Sequence, residues 1–310
     1  MKKNSRIYIA GHNGLVGSAI VRRLKAEGYE NLVYRSSAEL DLKNQSAVNR
    51  FFAEEKPEYV FLAAARVGGI KANMTFPFEF LYDNLMIQNT VIKASSDYGV
   101  KKFCFLGSSC IYPRECPQPI KEEYLMTGPL EPTNEGYALA KIAGLKLVKY
   151  LSQQKGFKAI CPMPCNIYGP GDSFDLEKSH VLSALVKRFS DAAESGVAEI
   201  TLWGTGIARR GFLHVDDLSR ALFLLMNNHE SADLINVGSG TDISIKELAE
   251  LIASRVGYTG NIAWDTSRPD GMLKKCLDVT KTAAIGFSPE IQLVDGIDQM
   301  IKEYRSLKTR

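Results

Sequence analysis

The sequence predicts an α/β protein whose core is a doubly wound parallel sheet, and three observations support this class. Short apolar segments alternate with longer segments of helical periodicity over the first half of the chain. A glycine-rich loop, residues 11–17, joins the first apolar segment to the first helix. A turn-rich break at residues 168–172 separates this regular half from a more irregular one, which predicts a second, smaller α/β domain.

The first predicted strand, residues 6–10, leads directly into the loop, which reads Gly-x-x-Gly-x-x-Gly. The helix that follows carries apolar residues on one face and ends near Gly28. Glycines here allow a tight turn and a close approach of the backbone to a pyrophosphate, and the helix N-terminus presents free N–H groups. We therefore predict a dinucleotide site; a tight turn that binds nothing is the alternative.

The remaining elements of the first half follow at regular spacing. We predict strands at residues 32–34, 59–62, 103–106 and 159–161, and helices at residues 47–55, 78–97 and 136–154. Ligands of parallel sheets bind beyond the carboxyl ends of the strands. Residues 63–66, Ser108 and residues 164–166 follow such ends, so we expect them to share one cleft with Gly11.

The second half is predicted to form the smaller unit. Its expected elements are helices at residues 180–194 and 245–256, strands at 200–203 and 235–238, and an amphipathic helix that ends near residue 228. We assign residues 1–166 to a dinucleotide-binding domain and residues 167–310 to a substrate-binding domain. Residues 211–228 are expected to return and pack on the first domain.

Composition limits the classes of function. The 310 residues are 45% hydrophobic and 24% charged, and the net charge of +3 is too small to indicate a nucleic-acid or membrane partner. No segment reads as a signal peptide or a membrane span, so we expect a cytoplasmic protein. The six cysteines form no Cys-x-x-Cys pair, so zinc is not expected, and without a secretory signal neither are disulfides. Cys104 and Cys161 lie in apolar strand segments and should be core residues.

A tyrosine and a lysine at helical spacing, Tyr137 and Lys141, are the first candidate catalytic pair. The i,i+4 spacing places phenol and ammonium on one helix face, where the cation should lower the pKa of the phenol. Ser108 follows a strand and could hold a carbonyl oxygen while Tyr137 gives or takes its proton. This is chemistry suited to hydride transfer at a carbonyl; a solvated helix face is the alternative.

These motifs together resemble the extended short-chain dehydrogenase/reductase family, over nearly the whole chain. The resemblance rests on the stretches at residues 11–20, 64–70, 106–113, 131–141, 179–182, 213–217 and 268–271. It implies a Rossmann-type fold and an NADP-dependent oxidoreductase that also acts as an epimerase (an isomerase). The implied reaction inverts C3 and C5 of GDP-4-keto-6-deoxy-D-mannose and reduces C4 with NADPH, giving GDP-L-fucose.

The implied chemistry assigns roles to two further residues. A ketone at C4 acidifies the hydrogens at C3 and C5, so inversion needs a base and an acid on opposite faces of the ring. Cys110 is the implied base and His180 the implied acid. Without the resemblance, Cys110 reads as a packed small hydrophobe and His180 as a helix-end histidine. Tyr137 then protonates the C4 oxygen, with Ser108 and Lys141 in support.

The resemblance also implies two binding sets and no metal. The residues implied to bind NADP(H) are Gly11, Asn13, Gly14, Leu15, Val16, Gly17, Arg35, Leu106, Gly107, Ser108, Ser109, Tyr137, Lys141, Pro164, Cys165, Asn166, Ile167 and His180. The residues implied to bind the GDP-sugar are Arg188, Trp203, Arg210, Asp270 and Lys275. Arginine pairs bidentately with phosphate, and an indole offers a flat surface to a sugar or a base.

Cofactor preference rests on Arg35, which stands where NAD-preferring sites carry an acid that bonds the ribose hydroxyls. A cation there favours the 2′-phosphate of NADP. Relatives often add arginines at the positions of Asn13 and Ser37, and both are absent here. We therefore predict NADP(H) with looser discrimination against NADH.

Other activities of this fold fit the sequence less well. A sugar-nucleotide dehydratase would place acidic residues at Ser109 and Cys110, and a UDP-sugar 4-epimerase would not need Cys110 or His180. A non-enzymatic dinucleotide sensor would not need Tyr137 or Lys141. A reductase or epimerase of another 4-keto sugar nucleotide stays open. The helices predicted at residues 78–97 and 136–154 suit a two-fold homodimer, as in relatives.

Overall fold

A computed structural model describes residues 1–176, 179–268 and 270–309. The helices are α1 (Leu15–Ala26), α2 (Gln45–Glu55), α3 (Ile70–Thr75), α4 (Pro77–Asp97), α5 (Glu135–Lys155), α6 (Val181–Ser195), α7 (Val215–Asn228), α8 (Ile245–Val256), α9 (Thr280–Ala284) and α10 (Leu293–Lys308). The strands are β1 (Ile7–Ala10), β2 (Leu32–Val33), β3 (Tyr59–Leu62), β4 (Lys102–Phe105), β5 (Ala159–Pro164), β6 (Asn166–Tyr168), β7 (Glu199–Trp203), β8 (Arg209–Arg210), β9 (Phe212–His214), β10 (Leu234–Val237), β11 (Ile243–Ser244), β12 (Asn261–Asp265) and β13 (Lys274–Lys275).

The central sheet has six strands in the order β10-β5-β4-β3-β1-β2, and every neighbouring pair is parallel. Strands β1, β4 and β5 are buried at every position, as expected for a parallel sheet covered by helices on both faces. The predicted α/β class with a parallel, doubly wound sheet is confirmed. Because the strands are parallel, their carboxyl ends lie at one edge, where the candidate site residues follow them.

The position of strand β10 differs from our expectation. We placed residues 235–238 in the smaller unit, but β10 is the outer strand of the central sheet, where Leu234 pairs with Cys161 and Val237 with Pro164. A short apolar segment fits any buried strand, so its sequence does not identify its neighbour. Only the return of the chain after α7 brings β10 beside β5.

Two groups of buried apolar side chains fill the molecule. The larger lies around the central sheet and includes Leu218, Leu222 and Leu225 from α7, so this helix packs on the first half of the chain. The smaller joins α6, α8 and α10 with strand β7. Helices α3, α9 and α10 and strand β12 were not predicted. The domain boundaries at residues 166, 211 and 228 stay a prediction.

Helix ends follow the local sequence. Helix α8 begins with a capping box, in which Ser244 accepts from the N–H of Glu247 and the Glu247 carboxylate accepts from the N–H of Ser244. It ends at Gly257 in the left-handed conformation, and α5 and α6 end in the same way at Gly156 and Gly196. These signals explain why the predicted bounds of α8 match those observed.

Within the described parts of the chain, the helices are too short or too polar to cross a bilayer. In the same described residues, no group of histidine, cysteine and acidic side chains could hold a metal ion.

Candidate active site

The glycine loop at residues 11–17 is shaped by close backbone contacts. Gly11 has a φ of +87°, and a Cβ there would lie 2.7 Å from the backbone nitrogen of Ala64. A Cβ on Gly17 would collide with the carbonyl oxygen of Gly11. Gly14 is the N-cap of α1, and its N–H donates to the Gly11 carbonyl at 3.0 Å. Because these glycines carry no side chains, the loop leaves open space at the N-terminus of α1, as the binding of a pyrophosphate requires.

Arg35 lies just past the end of β2, beside this loop. Its guanidinium forms an ion pair with Glu55, and its Nη1 donates to the carbonyl of Tyr34 at 2.9 Å. Glu55 is shared, because Arg6 pairs with its other oxygen. The ring of His12 stacks on Tyr34, with 4.5 Å between ring centroids, which connects Arg35 to the loop. The Arg35 guanidinium thus stands where the 2′-phosphate of NADP is predicted to bind, and it already forms an ion pair with the Glu55 carboxylate.

Tyr137 and Lys141 lie on α5, as their spacing predicts. Lys141 is only 5% exposed; its Nζ donates to the Leu106 carbonyl at 2.8 Å and lies 5.7 Å from the centroid of the Tyr137 ring. Burial lowers the pKa of Lys141 to about 8. Burial also raises the pKa of Tyr137, which corrects our expectation that the lysine charge lowers it. Desolvation of the phenolate is the largest cause, and a negative charge on Cys110 acts in the same direction.

Ser108 and Cys110 lie just beyond strand β4, on a short 3₁₀ turn. Ser108 caps the turn Ser109–Ile111, and its Oγ accepts from the N–H of Cys110 at 3.3 Å. Cys110 is 7% exposed and belongs to the larger core cluster. The turn therefore fixes the position of a buried thiol two residues from the serine hydroxyl.

The charges around Cys110 define one cluster of reactive groups. Burial raises the pKa of the Cys110 thiol, whereas the Lys275 charge, a hydrogen bond from Ser108 and the Lys141 charge act in the opposite direction. A negative charge on Cys110 also contributes to the raised pKa of Tyr137. The phenol, the hydroxyl and two ammonium groups therefore each lie within electrostatic reach of the thiol. Such a set contains groups that can give and take protons.

His180 occupies a neighbouring loop. It is exposed, caps α6, and follows Ser179, whose carbonyl oxygen would lie 3.2 Å from a Cβ on Gly69. Its charge favours the ionised form of Asp172, although burial raises the pKa of that carboxyl overall. No hydrogen bond or ion pair within the described chain joins His180 to Cys110. The structure thus places the two candidate proton-transfer groups on separate elements.

Arg210 and Lys275 are brought together by strand pairing, because they are register partners in the parallel pair β8–β13. Burial lowers the pKa of Arg210, and the charges of Asp270 and Glu131 oppose that effect. Asp270 accepts two hydrogen bonds of 2.7 Å, from the N–H and the hydroxyl of Thr205. These contacts place three of the five predicted substrate residues in one neighbourhood.

The other two predicted substrate residues both involve β7: Arg188 lies on α6 and contacts this strand, and Trp203 is its last residue. The Nη2 of Arg188 donates to the Thr201 carbonyl at 2.7 Å, and burial lowers the pKa of Arg188. Trp203 is 65% exposed, and the guanidinium carbon of Arg268 lies 5.1 Å from the centroid of its ring. Pro269, within the 268–271 stretch, lies outside the described residues. An exposed indole beside a cation offers a stacking surface for a flat group.

The ends of β4 and β5 complete the predicted cofactor cleft. The N–H of Cys165 donates to the Val237 carbonyl at 3.0 Å, and Asn166 Nδ2 donates to the Gly211 carbonyl at 2.9 Å. Burial raises the pKa of Cys165 to about 12, so its thiol is a packed, neutral group. The other predicted residues at these strand ends are Leu106, Gly107, Ser109, Pro164 and Ile167.

Two acidic residues beside the site were not singled out from the sequence. The charge of Glu131 raises the pKa of Arg210, and the charge of His180 lowers the pKa of Asp172, in each case against the larger effect of burial. Glu131 opens the 131–141 stretch and Asp172 closes the turn-rich break, so both were visible in the motifs. Their electrostatic partners lie too far along the chain for spacing alone to reveal.

Comparison with known proteins agrees with this geometry. The chain is 52% identical over 304 residues to "Putative GDP-L-fucose synthase 2" of Arabidopsis thaliana, covering 98% of this chain and 93% of that one. It is 46% identical over 301 residues to the GDP-L-fucose synthase of Escherichia coli (strain K12), covering 94% of each. A GDP-mannoheptose C4 reductase from Campylobacter jejuni, solved with NADP bound, superposes with a TM-score of 0.90 at 38% identity, covering 98% of this chain and 99% of that one.

The family model described as "NAD dependent epimerase/dehydratase family" matches residues 7–238, which contain the glycine loop, the Tyr137–Lys141 pair and strand β10. The match covers most of the chain, and the relatives align over nearly all of it. The chain therefore belongs to the NAD-dependent epimerase/dehydratase family, a group of extended short-chain dehydrogenases/reductases.

Proposed function

We propose that this chain inverts C3 and C5 of GDP-4-keto-6-deoxy-D-mannose and reduces C4 with NADPH, which yields GDP-L-fucose. The observation that carries the proposal is Cys110, a thiol within electrostatic reach of the Tyr137–Lys141 pair. Reduction of a ketone uses the tyrosine and the lysine but not a thiol. Relatives named GDP-L-fucose synthase align over almost the whole chain at 46–52% identity, which supports the same assignment.

The residues of the first half fit a bound NADP(H). The cradle formed by Gly11, Gly14 and Gly17 admits a pyrophosphate against the N-terminus of α1, and Arg35 stands where the 2′-phosphate is expected. When bound, NADPH supplies the hydride that C4 receives. We propose that the residues predicted from the sequence to contact NADP(H) bind it in this cleft.

Inversion requires removal of a proton beside the ketone. The Cys110 thiolate takes the hydrogen from C3 or C5 as a proton, forming S–H, and the C–H electron pair moves into the enolate of the C4 ketone. His180 then gives a proton to the opposite face of the same carbon, and solvent restores both groups. The exposed position of His180 keeps it in contact with solvent, from which it can be reprotonated.

Reduction uses the groups on α5. Tyr137 gives its phenolic proton to the C4 oxygen, and the Ser108 hydroxyl donates a hydrogen bond to that oxygen. The raised pKa of Tyr137 keeps the phenol protonated and therefore ready to act as the acid. The ammonium of Lys141 stabilises the tyrosinate that remains.

The second half is proposed to hold the GDP-sugar. Arg210 and Lys275 lie side by side through their strand pairing and offer two cations to a diphosphate. Arg188 of α6 donates to the Thr201 carbonyl in β7, the strand that ends at the exposed indole of Trp203, and Asp270 accepts hydrogen bonds from Thr205 just beyond that strand.

The chain is also proposed to form a homodimer through helices α4 and α5. Both helices expose large apolar side chains, namely Phe78 and Tyr82 on α4 and Leu139 and Tyr150 on α5. Light scattering coupled to size exclusion should return twice the 34.3 kDa chain mass, and a monomer mass would reject this part. The cytoplasmic location stays a prediction.

Nuclear magnetic resonance of the product tests the proposed function. Incubation with GDP-4-keto-6-deoxy-D-mannose and NADPH should yield a sugar with inverted configuration at C3 and C5 and a hydroxyl at C4. A product reduced at C4 with both neighbouring carbons unchanged would identify a simple 4-keto reductase instead.

A further inference from the structure

Asn84 is a buried asparagine on helix α4 to which the mechanism assigns no role. It is 3% exposed, and backbone groups surround its amide. The amide oxygen accepts from the N–H of Arg66 at 2.9 Å, and the amide nitrogen donates to the Arg66 carbonyl at 3.0 Å and to the Phe80 carbonyl at 2.7 Å. Since both amide hydrogens are used, Asn84 has no donor left for a ligand.

The two bonds to Arg66 form a reciprocal pair, like the bonds between neighbouring strands. They satisfy both backbone polar groups of a residue that lies outside every strand and helix. The same helix also holds the side chain of Arg66, whose Nη1 donates to Asp83 at 2.9 Å and whose guanidinium carbon lies 5.6 Å from the centroid of the Phe80 ring. Helix α4 therefore fixes Arg66 at the backbone and at the side chain.

Residues 63–66 carry this constraint to the glycine loop. The N–H of Ala63 donates to the Ala10 carbonyl at 3.0 Å. A Cβ on Gly11 would lie 2.7 Å from the nitrogen and 2.8 Å from the Cα of Ala64, and 2.9 Å from the carbonyl carbon of Ala63. The backbone of Gly11 thus packs directly on a segment whose far end is held by Asn84.

The continuation of this segment is fastened separately. Asn73, on α3, is 8% exposed and donates to the carbonyls of Gly68 and Gly69 at 2.9 Å and 3.0 Å. A Cβ on Gly69 would lie 3.2 Å from the carbonyl oxygen of Ser179, so this end packs against the loop that carries His180. Asn73 is therefore a matched control for Asn84, because it is a second buried asparagine that binds the same stretch of backbone at its other end.

We propose that Asn84 is a positioning residue for NADP(H), which clamps Arg66 and so holds residues 63–66 as the wall on which the glycine loop packs. The proposal rests on the proposed function only for the binding of NADP(H), and not for the steps at the sugar. A loop that is ordered before binding costs less free energy to order upon binding. Loss of the clamp therefore weakens the affinity for the cofactor although Asn84 itself does not contact it.

Titration of the full chain with NADPH, without any sugar, tests the clamp. The fluorescence of the bound cofactor gives Kd. Asn84→Leu removes the three bonds at similar side-chain volume and should raise Kd by about tenfold or more. Asn73→Leu also loses bonds to two carbonyls and should keep Kd within about threefold of wild type. Asp83→Asn, which releases only the side chain of Arg66, should stay within the same limit.

Hydrogen exchange followed by mass spectrometry reports on the clamp in the chain without cofactor. The N–H of Arg66 is protected by its bond to Asn84, so a peptide that contains residues 63–66 should exchange faster by about tenfold or more in Asn84→Leu. Circular dichroism verifies the fold. If Asn84→Leu does not fold, Asn84→Asp replaces it, since aspartate has the same shape and keeps only the acceptor for the Arg66 N–H.

Steady-state kinetics separate positioning from a general loss of structure. In Asn84→Leu the KM for NADPH should rise together with Kd, whereas kcat at saturating NADPH should change by less than about threefold. A loss of kcat with unchanged KM and Kd would overturn the proposal, because it would place the effect of Asn84 on the chemical step.

The remaining outcomes distinguish the alternatives. An unchanged Kd in folded Asn84→Leu overturns the proposal, and so does an equal rise of Kd in Asn73→Leu, which would show that any loosening of this stretch is sufficient. The expected rise in Asn84→Leu, in an enzyme that reduces the sugar without inversion at C3 and C5, supports the clamp and rejects the proposed epimerisation. A wild-type chain that binds no NADPH rejects both the cofactor and the clamp.

Discussion

The Nζ of Lys141 donates a hydrogen bond of 2.8 Å to the carbonyl oxygen of Leu106, the residue that follows strand β4. This bond joins helix α5 to the strand end from which Ser108 and Cys110 project. It also holds a cation in a buried position, 5% exposed, beneath the Tyr137 ring. This buried contact thus helps to fix the Tyr137–Lys141 pair relative to Ser108 and Cys110.

Replacing Tyr137 should separate the two halves of the reaction. Tyr137→Phe keeps the ring but removes the proton donor, so reduction should fall by about a hundredfold or more. Deuterium exchange at C3 and C5 should persist in part, since Cys110 and His180 remain. Mass spectrometry of the recovered substrate measures the exchange. Loss of exchange equal to the loss of reduction would show that the phenol serves both steps.

Replacing Cys110 should have the opposite effect. Cys110→Ala removes the proposed base, so exchange at C3 and C5 should fall by about a hundredfold or more. Oxidation of GDP-L-fucose by NADP⁺ should continue, because that step requires only Ser108, Tyr137 and Lys141. Unchanged turnover in Cys110→Ala would refute the role of the thiol. Cys116→Ala is the matched control, since Cys116 is another free, partly buried cysteine to which the mechanism assigns no role.

The pKa of Lys141 predicts a pH-dependent stability. Its folded-state pKa of about 8 lies below the ordinary value of 10.5, so the unfolded chain binds the proton more tightly between these values. The free energy of unfolding should therefore rise through this window, by up to about 3 kcal/mol relative to Lys141→Met. Below about pH 8 the penalty is fully present.

Urea unfolding of wild type and Lys141→Met at intervals across that window measures the effect. Lys155→Met, at an exposed position of the same helix, should parallel wild type at every pH. Parallel curves for wild type and Lys141→Met would contradict the lowered pKa of the buried lysine.

The Arg35–Glu55 ion pair predicts a moderate cofactor preference. Arg35→Ala should lower kcat/KM for NADPH by roughly tenfold to a hundredfold and leave NADH nearly unchanged. Arg23→Ala, whose side chain pairs with Glu27 on the next turn of α1, serves as the control. Initial rates with both cofactors measure the ratio. Equal efficiency for NADH in the wild-type enzyme would remove the basis for the NADP assignment.

The amide of Asn236 supports the site from strand β10. It is fully buried, accepts from the Tyr112 hydroxyl at 2.6 Å and donates to the Ile120 carbonyl at 2.9 Å. Asn236→Leu removes both bonds and leaves the Tyr112 hydroxyl unpaired, while the Ile120 carbonyl keeps the N–H of Asp278 at 2.8 Å. The variant should lower the free energy of unfolding by about 2–4 kcal/mol. Tyr112→Phe, which removes only one hydroxyl, should lower it by about 1 kcal/mol. A loss below about half a kcal/mol in Asn236→Leu would show that water replaces these bonds.

The parts of the fold that could be predicted from sequence are those with local signals. The glycine loop, the spacing of Tyr137 and Lys141, and the capping box of α8 each operate within a few residues. Because parallel strands end at one edge, the convergence of Ser108, Asn166 and the loop also followed from the order of elements.

Features that depend on burial and on distant pairing could not be predicted. The pKa of Tyr137 rises because the surrounding core desolvates the phenolate, and no sequence pattern measures that burial. Strand β10 joins β5 across more than sixty residues of chain, and Lys275 comes beside Arg210 only when β13 pairs with β8.

The most direct measurement follows the hydrogens of the product. Wild-type enzyme converts GDP-4-keto-6-deoxy-D-mannose and unlabelled NADPH in deuterated water, and nuclear magnetic resonance locates the deuterium. If Cys110 exchanges protons at C3 and C5 and Tyr137 serves the reduction of C4 on the same sugar ring, the product carries deuterium at C3 and C5. The hydrogen at C4 then comes from the cofactor. A reduced product without deuterium at C3 and C5 would contradict the central claim.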